Sequence, residues 1–185
     1  MSTAVGASTL EPIRPGQRLP ALEGEFLTGR SATLPDAATG RVTLLMVGFT
    51  YASREPVEAW GAWYRATFGS RSDMTFFEVP MIGGLAKLGR WFINRGMRGG
   101  TPEGLHENVI TVYNDSGDWK RRLAWSPEHE NAAYLVALDR EGIVRWLYRG
   151  PFEPALAEDL RHVLSSLADQ PAGDRSSGGP TGTEQ

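Results

Sequence analysis

The chain has 185 residues, 41% apolar and 22% charged, with a formal net charge of -3 and no cysteine. This is the size and composition of one globular domain. The slightly acidic balance argues against broad nucleic-acid binding, which needs a basic stripe, and the lack of thiols excludes disulfides, thiolate metal sites and thiol-based reactions.

The opening MSTAVGASTLEP lacks the basic and apolar regions of a secretory signal, and Glu11 precedes the first arginine, Arg14, unlike an organelle presequence. No apolar run reaches the roughly 20 residues of a membrane span. A cytoplasmic location is expected, with the mitochondrial matrix as the alternative if a leader has been removed. Residues 1–14 read as a flexible lead-in and 15–169 as one folded unit. The small, polar, Pro/Gly-rich residues 170–185 read as a disordered tail.

Within the folded unit, residues 15–40 are punctuated by Pro15, Gly16, Pro20, Gly29 and Gly40, which suits short extended pieces and turns. The continuous apolar run from Val42 to Phe49 predicts a strand buried on both faces. Pro56 fits the first turn of a following helix, where its missing N–H costs nothing. Val57, Trp60, Tyr64 and Phe68 then form one apolar stripe at helical spacing. Met74 to Val79 predicts a second strand, closed by Pro80.

A helical stretch follows from about Leu85 to Met97, ended by Gly99 and Gly100. Val109 to Tyr113 predicts a third strand, with a turn at 114–117 and a short helix from Trp119 to Trp125. Ala132 to Leu138 and Ile143 to Tyr148 predict two strands around a tight turn at 139–142. The last helix, from Pro154 to about Ala168, is amphipathic through Leu156, Leu160, Val163, Leu164 and Leu167. Strands separated by helices imply crossovers, a mostly parallel centre and a late antiparallel edge: a three-layer α/β arrangement.

That order, with the pattern of Gly16, Pro20, Gly29, Leu34 and Gly40 before the apolar strand, resembles the thioredoxin-like fold in its redoxin form, with a central mixed sheet flanked by helices. Gly48, Phe49 and Thr50 resemble the segment that leads into the cysteine pair of the redoxins' copper-chaperone relatives. Ala52 and Pro56 stand where those cysteines would fall. Redoxins also place a cis-proline before the penultimate strand, and the matching position near Ala133 has none.

The hairpin segment LDREGIVRWLYRG resembles the Asp-x-x-Gly-x-x-Arg-Trp-x-x-x-Gly signature of the thioredoxin-like assembly factors of the mitochondrial F1Fo ATP synthase, through Asp139, Gly142, Arg145, Trp146 and Gly150. The helix start EPVEAW, residues 55–60, suits the same family. The resemblance implies a redox-inactive binding protein or chaperone that assists a membrane-complex subunit. Two alternatives stay open: an enzyme of non-thiol chemistry on a redoxin scaffold, and a pseudo-enzyme that regulates a redoxin partner.

Each candidate residue also has a structural reading. Tyr51 and Arg54 stand at the turn where the fold presents chemistry and are candidate partner contacts. Trp60 and Trp63, about 300° apart on one helix and both bulky, leave Trp63 the candidate for partial exposure. Lys87, Arg90, Arg95 and Arg98 cluster on one face of the 85–97 stretch. A solvated surface explains them, and the sharper alternative is a docking face for an acidic partner or an anionic membrane surface. Arg145 is either another partner contact or the ion-pair partner of Asp139, with Trp146 in the core on the opposite side of its strand. Gly142 reads as a turn residue with positive φ.

His106, His129 and His162 lack ligand spacing, so no metal site is expected, and with no phosphate-binding loop no cofactor is expected either. Ser53 has no His or Asp partner nearby in sequence, and a serine hydroxyl is inert without a base.

Overall fold

The computed structural model describes residues 10–83 and 99–171. The predicted stretch at 85–97, and with it Lys87, Arg90, Arg95 and Arg98, lies outside the described residues.

The run at 42–48 is strand β3 (Val42–Gly48), buried along its whole length. It lies inside a four-stranded sheet, ordered β4-β3-β6-β7, with β4 (Met74–Pro80), β6 (Ala133–Leu138) and β7 (Val144–Gly150). The β3/β4 pair is parallel, running from Val42 opposite Met74 to Gly48 opposite Pro80. β6 is antiparallel to both β3 and β7, with an irregularity at Ala137/Leu138. The centre is therefore less parallel than the alternation of strands and helices implies.

The reason lies in the third expected strand, which pairs elsewhere. Only Ile110–Thr111 forms a strand, β5, and it pairs antiparallel with β1 (Leu22–Phe26), itself in a hairpin with β2 (Ser31–Leu34). Residues around β5 still touch β4 through single parallel bridges, Glu78 to Val109 and Met81 to Val112.

Helix α1 (Arg54–Phe68) buries Val57, Trp60, Gly61, Tyr64 and Phe68, which is the stripe the spacing predicts. Trp60 is fully buried, with edge contacts to Phe152 and Tyr148 at ring centroid distances of 4.9 and 5.9 Å. Full burial of an aromatic side chain of this kind stabilises by roughly 1.5–3 kcal/mol. A short helix, α2 (Ser116–Arg122), starts three residues before Trp119, directly after the left-handed Asp115. The last helix, α3 (Pro154–Asp169), starts on proline, and the Arg140 guanidinium donates to the carbonyl of Ala168 in its final turn (2.7 Å).

Period-2 alternation in β3 divides the interior in two. Leu45 and Val47 face a core shared with Leu22, Leu34, Ile110, Trp119 and Tyr134; Leu44 and Met46 face one shared with Trp60, Tyr64, Leu160 and Leu164. The sheet is thus covered on one side by the N-terminal hairpin and α2, and on the other by α1 and α3. Among the described residues no helix is long and apolar enough to cross a membrane.

Candidate functional site

β3 delivers the chain to a turn at the N-terminus of α1. Phe49 stays buried, edge-on to Tyr134 with ring centroids 5.3 Å apart, and anchors the turn to β6. Ser53 is 1% exposed; its hydroxyl donates to the Thr50 carbonyl (2.7 Å) and accepts from the Thr50 N–H (3.1 Å). In return the Thr50 hydroxyl accepts from the Ser53 N–H (3.1 Å) and donates to Oδ1 of Asn131 (2.7 Å). Gly48 makes room for this knot, since a Cβ there would lie 2.6 Å from Ser53 Oγ.

These contacts decide what the turn can do. Ser53 Oγ is occupied by backbone, and among the described residues no histidine nitrogen contacts it. His106 meets the Thr101 carbonyl at 3.0 Å and His162 meets Glu158 at 3.1 Å. A serine in that setting is a structural brace, not a nucleophile. Ala52 is exposed and Pro56 half-exposed, so the two positions matched to thiols carry no reacting atom.

What the turn does present is surface. Tyr51 is 87% exposed, the one large hydrophobic side chain in that state among the described residues. Arg54, beside it, pairs with Glu58 one helical turn on (2.5 Å). Lys120 of α2 lies 4.1 Å from the Trp125 ring centroid and 5.9 Å from that of Phe49, a cation held on aromatic faces.

The other predicted positions are not gathered there. Trp63 lies about 15 Å along α1 from the turn. It is half-buried, edge-on to Trp60 and Phe68 at 5.6 and 5.9 Å. Arg145 stands at the opposite end of the sheet. Thr43 pairs with Leu138 while Val47 pairs with Tyr134, so the 139–143 turn and the 49–53 turn occupy opposite poles.

At that far pole the Asp139 carboxylate is nearly buried and accepts three hydrogen bonds, from the N–H groups of Glu141 (3.0 Å) and Ile143 (2.9 Å) and from Arg145 Nε (2.7 Å). Gly142 has φ +77°, and a Cβ there would meet Pro35 at 2.6 Å. Trp146 is half-buried on the helical side of the sheet, stacked with Tyr148 at 5.9 Å, and Gly150 ends β7 opposite Ala133. Together these five residues build a tight hairpin, and Arg145 spends its Nε donor there.

Glu78 is a charged group the sequence reading missed. Its carboxylate lies on β4 beneath α1, 17% exposed, 3.7 Å from Arg65 and against Gly61, where a Cβ would come within 2.5 Å of its Oε1. Burial pushes it up to about 7, with the Arg65 charge pulling the other way, Glu58 adding to the rise and Arg54 opposing it. The signal was a lone glutamate inside the buried run Met74–Pro80. Among the described residues no group of three or more His, Asp or Glu could hold a metal ion.

No family model matches the chain, and no curated protein matches it. Solved structures do. BsSco, a member of the Sco family of cytochrome c oxidase assembly proteins, superposes with a TM-score of 0.60 at 14% identity, over 85% of this chain and 96% of its own. The thioredoxin domain of a thiol-disulfide oxidoreductase from Bacteroides vulgatus gives 0.54 at 16% identity, over 85% and 99%.

The fold is thioredoxin-like.

A thiol peroxidase from Chromobacterium violaceum is similar in the same way, with a TM-score of 0.55, 14% identity and coverage of 84% and 88%. Identities this low establish shared architecture alone. In this thioredoxin-like chain the turn that enters α1 holds no sulfur.

Proposed function

We propose that this chain is a redox-inactive thioredoxin-like binding protein that assists assembly of a membrane-associated complex, with ATP synthase as the leading candidate. The observation that carries the reading is the turn at 49–54. It has no sulfur, its one buried hydroxyl is tied to backbone, and its apex offers Tyr51 at 87% exposure beside Arg54. An exposed tyrosine supplies rigid, amphipathic contact area at low entropic cost, which suits recognition. The hairpin residues Asp139, Gly142, Arg145, Trp146 and Gly150 support the link to ATP synthase assembly factors. BsSco, from a family of cytochrome c oxidase assembly proteins, supports assembly work on this fold. In this reading Lys87, Arg90, Arg95 and Arg98 supply a second contact, to an acidic partner or an anionic membrane surface.

Affinity purification of the tagged chain and of Tyr51→Ala from native cells tests the proposal. A membrane-complex subunit should co-purify with the parent and be depleted at least several-fold with the variant. If no subunit of ATP synthase or another membrane complex is enriched, the assembly role fails. The purified chain should also show no disulfide reductase or thiol peroxidase turnover, and measurable turnover would overturn the redox-inactive reading.

A further inference from the structure

A second surface lies two strands from the turn, at the outer edge of the same sheet. β7 is the outer strand of its sheet. Its first residue, Val144, is paired on the outer side by the N-terminal segment: the Gly16 N–H donates to the Val144 carbonyl (2.7 Å) and the Val144 N–H to the Gln17 carbonyl (2.8 Å). The chain before Gly16 then leaves the strand, because the Ile13 N–H turns to the carbonyl of Arg122 (2.8 Å). Past Val144 no segment among the described residues pairs with the outer side of β7.

Beside this open edge lies a cleft of about 420 Å³ that reaches over the sheet face to Tyr134 and Leu135 of β6. Pro12 and Ile13 form one side, Leu147 and Tyr148 the β7 side, and Arg122 and Arg149 flank it. An outer strand with free backbone groups is a template for another strand, and a protein leaves one open at a risk of unwanted pairing.

The charge around the cleft selects the occupant. Most described arginines are paired with carboxylates, as in Arg18–Asp36, Arg30–Glu107, Arg71–Asp73 and Arg161–Glu158. Arg122 and Arg149 are not. Arg122 lies 5.8 Å from the Trp119 ring centroid, and Arg149 donates to the carbonyl of Ala124 (2.6 Å). Arg14, next to Ile13, also lacks a carboxylate partner among the described residues. In a chain of net charge -3, these three cations against one carboxylate, Glu11, on the segments that border the cleft form a local excess. A second copy of this chain is a poor occupant. Antiparallel pairing of β7 with itself about Leu147 would set Arg145 of one copy opposite Arg149 of the other, and like charges directly opposite each other destabilise a strand pair.

We propose that this cleft receives an extended acidic segment of a partner protein, which adds as a strand to the outer side of β7 and sets its carboxylates against Arg122 and Arg149. The inference stands independently of the reading given to Tyr51, because none of residues 49–54 lines the cleft.

The test uses the full chain, labelled with ¹⁵N, and two capped peptides, acetyl-TEVEVET-amide and acetyl-TKVKVKT-amide. The glutamate peptide should shift the amide resonances of 147–149 and 122–124 and slow hydrogen exchange along β7, and the lysine peptide should do neither. Arg122→Glu, at a side chain that makes no hydrogen bond among the described residues, should weaken the glutamate peptide at least 10-fold. Arg122→Glu with Arg149→Glu should reverse the preference, and Arg122→Glu alone carries the test if the double variant unfolds. N-methylation of alternate residues should abolish binding if main-chain pairing holds the peptide. Equal binding of both peptides, shifts confined to 50–56, no shift at millimolar peptide, or concentration-dependent dimerisation through β7 would each overturn the proposal.

Discussion

Replacing Glu78 with glutamine should remove a pH-dependent component of stability. The folded protein holds this carboxyl at about 7 against an ordinary value of 4.5, chiefly because burial disfavours the charged form. Between those values the folded chain binds more protons than the unfolded one, so stability falls as pH rises through the window. The gap of about 2.5 pH units sets an upper bound of about 3 kcal/mol. Arg65, 3.7 Å away and itself partly exposed, can follow the carboxylate as it ionises, so about 1–3 kcal/mol is expected. Urea unfolding followed by tryptophan fluorescence at intervals from pH 4.5 to 8.5 measures it for parent and Glu78→Gln alike. Groups common to both cancel in the difference, and the variant should gain on the parent by that amount as pH rises. A difference that is flat across the window, or of opposite slope, would refute the reasoning.

Ser53→Ala should lower stability by about 1–2 kcal/mol, read by thermal or chemical denaturation, because the Thr50 N–H and carbonyl both lose a buried partner. A neutral result would remove the structural role given to Ser53. Gly142→Ala should cost about 2–4 kcal/mol, combining the left-handed backbone with overlap on Pro35. At the same hairpin, Asp139→Asn should cost about 1–3 kcal/mol and Arg145→Ala under about 1 kcal/mol, since the carboxylate is buried and the arginine is 46% exposed. A double-mutant cycle separates the ion pair from the turn, and a larger loss at Arg145 than at Asp139 would contradict this assignment.

The elements legible in the sequence are those whose pattern is local. The buried run of β3, the stripe Val57, Trp60, Tyr64 and Phe68, the 133–150 hairpin and the stripe of α3 can all be read from neighbours in the chain. The partner of β5 could not be read this way. Two residues carry too little pattern to name a strand about 85 positions away. The same limit hid Glu78, whose surroundings come from α1 and β4 together, and it hid the cleft, which needs residues 12–13, 122–124 and 147–149 side by side. Ser53 was visible as a residue without a catalytic base, but its service as a brace required Gly48 and Asn131 to be placed.

The Asp139 carboxylate has a consequence for the order in which the chain assembles. All three of its hydrogen bonds span six residues or fewer, and β6 and β7 are joined directly through the turn it organises. Such contacts lose little chain entropy as they close, whereas joining β1 to β5 must close most of the domain. The hairpin is therefore expected in the folding nucleus and the N-terminal sheet after it. Substitutions at Asp139 should slow folding, and those at Phe26 should mainly speed unfolding, in stopped-flow chevrons of the two sets; the reverse pattern would reverse the order. The N-terminal segment that borders the β7 cleft would then be among the last parts of the chain to settle.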